Sequence, residues 1–210
     1  MSMSKDTLAL IAEEIRSCTL CALHQTRTQA VPGQGESHAQ IMFIGEAPGF
    51  HEDQQGIPFV GTSGRYLDEL LRMIQLHRDD IFITNVVRCR PPRNRDPFRS
   101  EIAACQTYTE RQIALINPRM IVTLGRFSMA LFFGETAKIS AIHGQPKVEN
   151  GRIYYPLYHP AAVLRNPLLR ATMEADFWRM REIIDNVERY LSGDNNDSTS
   201  PQHPQQLSLF

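Results

Sequence analysis

Two features that would quickly settle a function class are missing from this sequence: a strong excess of charge and a long apolar run. The formal net charge is −1, which taken alone argues against a nucleic-acid-binding domain, since such domains are usually strongly basic. No apolar run approaches membrane-spanning length. Residues 1 to 16 mix Lys5, Asp6, Glu13 and Glu14 into their apolar positions, which excludes the uninterrupted apolar region of a signal peptide. The expectation is a soluble cytoplasmic protein with no membrane association. Tryptophan occurs once, as Trp178, cysteine four times, and there is no internal repeat. The 210 residues, 42% of them hydrophobic, suit one well-packed domain and are too few for two comfortable ones.

The distribution of charge says more than its sum. Arg88, Arg90, Arg93, Arg95 and Arg99 crowd one short segment, whereas acids concentrate near the N-terminus and in the last third. A local cationic stripe can steer a polyanion even when the total cancels. Arginine runs more often belong to solvated loops, so the stripe alone identifies nothing.

Leu8, Ile11, Ala12 and Ile15 recur at helical spacing with acids on the opposite face, predicting an amphipathic helix over residues 5–17 that delivers Cys18. Four short apolar runs read as buried parallel strands: 40–45, 81–87, 120–124 and 153–157. Helical stretches at 64–75, 100–116 and 126–133 separate them, and a last helix is expected over 168–191, with Phe177 and Trp178 packed in the core. This alternation predicts a three-layer α/β/α sandwich around a central four-stranded parallel sheet, with ligands gathering at the carboxyl ends of the strands. Residues 1–191 thus form the domain. Residues 192–205, almost free of apolar side chains, read as a flexible linker, and Gln206-Leu207-Ser208-Leu209-Phe210 turns apolar again.

Three strand ends carry chemistry. The first opens into Gly45-Glu46-Ala47-Pro48-Gly49, followed by Glu52, Asp53, Gly56 and Pro58-Phe59-Val60-Gly61. Glycine and proline at this density make a rigid loop whose backbone N–H groups can closely approach a ligand; a purely structural loop capped by Glu46 has the same signature. The second, Thr84-Asn85-Val86-Val87-Arg88-Cys89-Arg90-Pro91-Pro92, supplies an amide with both a donor and an acceptor, matching a pyrimidine edge. The third is Tyr158-His159-Pro160-Ala161-Ala162-Val163-Leu164-Arg165. Glu, Asn and His from three strand ends together look like a site. His143, before the last strand, reads as a loop residue.

Cys18 and Cys21 form a CxxC pair, with Cys89 and Cys105 far downstream. In a cytosolic protein four such cysteines favour a metal over disulfides. The spacing matches neither a zinc finger nor a bacterial ferredoxin run, and does not by itself choose between zinc and iron–sulfur.

GEAPGFHEDQQGIPFVG, NVVRCRPPRNRDP and HPAAVLR resemble, in order, the three signature blocks of the family 4, iron–sulfur type, uracil-DNA glycosylases. The resemblance spans about residues 18–190 and implies a uracil-DNA glycosylase-like sandwich that flips uracil out of single- or double-stranded DNA and hydrolyses its N-glycosidic bond, leaving an abasic site. It implies catalytic roles for Glu46 and His159, and uracil binding by Gly45, Ala47, Phe59 and Asn85. DNA contacts fall to Arg88, Arg90, Arg93, Leu164 and Arg165, the last two resembling a loop that enters the duplex, and a structural [4Fe–4S] cluster to Cys18, Cys21, Cys89 and Cys105. Lysine is absent from all three blocks, so no Schiff-base lyase step is expected.

A related branch that binds uracil-DNA covalently resembles GEQPG in the first block and carries a KRRIH-containing insertion; this sequence has Ala47 and no insertion. A non-catalytic iron–sulfur DNA-binding or redox-sensing module is the alternative of a different class. The tail Gln206, Leu207, Leu209 and Phe210 resembles the peptide by which bacterial repair proteins grip the sliding clamp, which implies a bacterial source. The protein is expected to be a monomer.

Overall fold

The structure is a computed structural model that describes residues 6–193. The tail peptide at Gln206, Leu207, Leu209 and Phe210, and the linker from residue 194 onward, lie outside the described residues.

Three pentapeptides, Ile41–Gly45 (β2), Ile81–Asn85 (β3) and Met120–Leu124 (β4), are buried along their whole length, as is most of Arg152–Leu157 (β6). A strand covered on both faces favours apolar side chains on both, so these four read as mostly apolar runs, broken at their buried positions only by Thr84, Asn85 and Thr123 near the carboxyl ends, and pair in parallel. Among the described residues two short strands, Gln34–Gly35 (β1) and Lys147–Glu149 (β5), extend the sheet to six, in the order β1-β3-β2-β4-β6-β5. β1 and β5 run antiparallel to their neighbours. Both are brief and polar, as edge strands must be to avoid pairing with another chain, and too short to show periodicity in sequence. β5 joins β6 through Asn150-Gly151, both at positive φ (51° and 70°), the hairpin turn that this dipeptide favours. The second predicted strand stops at Asn85; Val86 and Val87 instead donate to the carbonyls of Gly45 and Glu46, knitting two loops together.

Successive strand residues face opposite ways, and β2 shows it directly. Ile41 and Phe43 join one core with Leu67, Leu70 and Phe177, while Met42 and Ile44 join the other with Ile11, Ile15 and Tyr108. Thr62–Met73 (α3) and Arg170–Asp185 (α8) therefore cover one face, and Leu8–Ser17 (α1) and Arg99–Ile116 (α4) the other. Phe50–Gln55 (α2), Arg126–Phe133 (α5), Ile139–Ile142 (α6) and Pro160–Arg165 (α7) complete the connections. α1 is tied to α4 by Arg111, which donates to Asp6 (2.6 and 2.8 Å) and to Glu14. No helix among the described residues is long and apolar enough to cross a membrane.

The last helix departs from its predicted form. A 3₁₀ turn at Pro167–Leu169 precedes α8, and the chain breaks at Asn186 before Val187–Ser192 (α9). Met173, Phe177 and Met180 follow helical spacing and are fully buried. Trp178, expected in the core, is 50% exposed: neighbours on a helix point about 100° apart, and Phe177 already takes the sheet-facing direction.

One contact sets how α3 meets the sheet edge. A Cβ on Gly64 would lie 1.7 Å from the Phe59 carbonyl oxygen, so the helix can approach this loop only without a side chain there. Gly64→Ala is therefore expected to lower stability by about 1–3 kcal/mol through overpacking, measured by urea unfolding.

Candidate active site

The carboxyl ends of β2, β3 and β6 lie at one edge of the sheet, where a cleft of about 380 Å³ opens. Its lining includes Glu46, Ala47, Phe59, Asn85, His159 and Arg165, so residues from three separate sequence blocks meet in one place. Parallel pairing sets Gly45 directly beside Asn85. A Cβ on Gly45 would fall 2.4 Å from Asn85 Oδ1 and 2.5 Å from Phe59 Cζ. Gly45 thus contributes space rather than a side chain, letting an amide and an aromatic ring close over the strand end.

Phe59 is held in a strained conformation, with φ 53°. Arg78 donates to the Pro58 carbonyl (3.0 Å) and to that of Phe59, and is itself fixed by Asp68 at 2.5 Å. Glu52, buried, ties together the two halves of the glycine-rich segment: Oε1 accepts from Val60 and Gly61 N–H (2.9 and 2.8 Å), and Oε2 from Gly49 N–H (3.1 Å). The sequence reading gave neither Arg78 nor Glu52 a role. Glu52 had a readable signal, an acid three residues after Gly49 at a helix start; Arg78 had none, because its partners are backbone carbonyls of another segment.

Asn85 is 1% exposed and its Oδ1 has no hydrogen-bond partner. A buried acceptor without a donor costs about 1–3 kcal/mol, so this atom is poised for a donor arriving from the cleft.

His159 caps α7, its Nδ1 accepting the Ala161 N–H at 3.1 Å. An accepting Nδ1 leaves the neutral ring's proton on Nε2. Burial, followed by the nearby Arg165 charge, lowers the His159 pKa to about 4, so the ring is neutral near pH 7. Gly125, at φ 90°, lies where a Cβ would stand 3.0 Å from that of His159. The His159 and Phe59 rings stack 5.8 Å apart, tilted by 29°. Glu46 has its pKa raised by burial and next by Asp96, against the opposing charges of Arg126 and Arg165. The cleft therefore holds a neutral donor, an aromatic face, an amide and a carboxylate.

The arginine stripe divides. Arg93 is exposed, Arg90 reaches over the Phe50 ring, and Arg95 packs 3.8 Å from the Phe98 ring while pairing with Glu101 at 2.7 Å. Arg88, expected to meet DNA, is only 1% exposed and bonds to Thr109 and Gln112; it points into the protein, and that expectation is corrected. Leu164 and Arg165 are exposed, and occupy the last turn of α7 rather than a loop. His143 pairs with Asp176 at 2.7 Å and stays out of the cleft lining.

The four cysteines converge although their elements do not adjoin in sequence. Cys18 caps the end of α1, Cys89 follows β3 and Cys105 lies in α4, and all four with Arg27 and Arg88 line one small cavity. Arg27 Nη1 donates to Cys89 Sγ at 3.0 Å. Burial pushes the Cys21, Cys89 and Cys105 thiols up, Cys89 to about 11, so thiolates here need a metal or a cation to offset them. Among the described residues no group of three or more His, Cys, Asp or Glu is gathered to hold a single metal ion. Four cysteines around one cavity, with Arg27 donating to one of them, suit a thiolate-held group bridged by all four.

Comparison with known proteins agrees with this geometry. Residues 32–183 match the family described as the uracil DNA glycosylase superfamily. The chain is 48% identical over 194 residues to a type-4 uracil-DNA glycosylase of Sulfurisphaera tokodaii, covering 88% of each chain. It is 46% identical over 186 residues to the type-4 enzyme of Archaeoglobus fulgidus, covering 85% of this chain and 94% of that one. A third relative, the type-4 enzyme of Thermotoga maritima, is 41% identical over 168 residues, or 79% of this chain and 88% of the other. With the site and these likenesses together, the chain belongs to the uracil DNA glycosylase superfamily, among its type-4 members.

Proposed function

We propose that this chain releases uracil from single- or double-stranded DNA by hydrolysing the N-glycosidic bond, and that it stops at the abasic site. The observation that carries this reading is the orphaned, buried Oδ1 of Asn85 in the same cleft as the His159 ring. Uracil presents an N–H donor beside a carbonyl acceptor, so one amide satisfies both. Cytosine exchanges donor and acceptor at position 4, leaving buried groups unpaired and its binding disfavoured.

A base must leave the stack to reach this cleft, and that cost is lower for mispaired or single-stranded positions. Phe59 offers the flipped ring a stacking face, worth about 1–3 kcal/mol. As the bond to the sugar lengthens, negative charge grows on uracil and positive charge on deoxyribose. The His159 Nε2–H, neutral and already oriented by the Ala161 N–H, donates to O2 and stabilises the leaving anion. Glu46, ionised, faces the sugar cation or orients the attacking water. No lysine lines the cleft among the described residues, in keeping with hydrolysis without a lyase step. Arg90, Arg93, Leu164 and Arg165 are accessible for contact with the DNA strand.

Cys18, Cys21, Cys89 and Cys105 would hold a [4Fe–4S] cluster. When bound, it supplies a crosslink between the end of α1, the loop after β3 and α4, and it takes no part in the chemistry. Residues 206–210 are proposed as a sliding-clamp peptide that raises the local enzyme concentration near new DNA.

A uracil-containing oligonucleotide in excess over enzyme, treated afterwards with alkali, should give multiple turnovers to alkali-labile ends and no protein adduct. His159→Ala should lose about 10²–10³ in kcat, and Glu46→Ala about 10²–10⁴. A stoichiometric adduct would point to covalent trapping, and unchanged uracil release in the double variant would refute the assigned roles.

The lowered His159 pKa also predicts a pH dependence of stability. The unfolded ring takes up a proton below about pH 6.5, whereas the folded ring resists until about 4. Stability therefore falls through that window as pH drops, by up to about 1.4 kcal/mol per pH unit. Urea unfolding should show this slope in the wild type and a shallower one in His159→Ala. For the tail, deletion of residues 206–210 should abolish capture by immobilised sliding clamp while leaving uracil release on short oligonucleotides intact.

A further inference from the structure

Arg88 is among the largest fully buried side chains in the protein, and no ion pair compensates it among the described residues. Its Nη2 donates to Thr109 Oγ1 (3.0 Å) and Gln112 Oε1 (2.8 Å). The Gln112 amide is in turn held by donating to the Pro32 carbonyl at 2.8 Å. One end of the guanidinium is thus anchored, while Nε and Nη1 are buried with no partner. An uncompensated buried cation is strongly unfavourable, more so with donors unmade. Its side chain lines the cavity that all four cysteines and Tyr108 line. Arg27 approaches from the opposite segment, with Nη1 on Cys89 Sγ at 3.0 Å and Nη2 on the Arg16 carbonyl at 2.7 Å.

We propose that Arg88, assisted by Arg27, is a built-in counter-charge and hydrogen-bond donor for an anionic iron–sulfur cluster on the four cysteines. This inference rests on the cluster reading above. Four thiolates outweigh the positive charge of the iron–sulfide core, so the liganded group is anionic, and net charge together with hydrogen bonds to sulfur sets its potential and retention. Arg88 supplies both: a buried charge beside the cavity, and two buried donors that the protein leaves without a partner. It also explains why the first arginine of the stripe turns inward while Arg90 and Arg93 stay at the surface. Arg88 is a positioning and tuning residue and touches no substrate.

The test uses the purified holoprotein of wild type, Arg88→Met, Arg88→Lys and Arg27→Gln. Iron and labile sulfide per chain, the cluster reduction potential and the rate of iron release to a chelator are measured for each. Arg88→Met should move the potential to more negative values and speed iron release about 10–100-fold. Arg88→Lys, which keeps the charge, should lie between it and wild type, and Arg27→Gln should shift both readouts in the same direction by less. A folded Arg88→Met with wild-type potential and release rate overturns the proposal. Should that variant not fold, unchanged values in Arg27→Gln, whose side chain is only half-buried, do so instead. Wild-type protein without iron and sulfide would overturn the cluster itself, a separate and recognisable failure.

Discussion

The register of the central parallel strands is the constraint on which the site depends. β2 and β3 end side by side at Gly45 and Asn85, and strand side chains alternate between faces, so a slip of one residue would turn Asn85 away from the cleft and break both cores at once. Apolar residues buried on both faces of β2, β3 and β4 make such a slip prohibitive. The stability of the sheet and the placement of the amide are consequently the same fact. Gly45 and Gly64 then allow the loop around Phe59 to close to distances that no side chain would tolerate.

The polar groups of the cleft are held in place before any ligand arrives. His159 receives its tautomer from the backbone of its own helix start and its neutrality from burial and Arg165. In the proposed reaction a neutral donor adds little charge before the bond breaks, yet strengthens as charge develops on the base, which is the condition for stabilising a transition state over a ground state. Glu52 and Arg78 contribute indirectly, because each is consumed in holding backbone atoms of the glycine-rich segment.

The two charged features that lie closest in sequence do opposite work. Arg88 and Cys89 turn into the protein beside Cys105, whereas Arg90 and Arg93 reach the surface a few residues later. A single loop thereby runs from the sulfur-lined cavity to the arginines at the surface, so whatever orders the cysteines also orders Arg90 and Arg93.

Much was legible from the residues alone. Short, mostly apolar runs marked the parallel strands because burial on both faces favours apolar side chains, and the glycine-rich strand end pointed to the cleft because such a backbone can approach a ligand closely. The CxxC pair, with two further cysteines and none left over, marked the four as a set. What the residues could not reveal was direction. Arg88 reads like its neighbours until the fold shows Thr109 and Gln112 waiting for it on α4, Trp178 reads as core until Phe177 is seen to occupy the sheet-facing position, and Arg78 has no signature because its partners are carbonyls of Pro58 and Phe59. Sequence by itself determined which segments are buried and which strand ends carry chemistry, since those follow from local composition and periodicity; only the tertiary structure decided which side chains face one another, since that depends on packing between segments far apart in the chain.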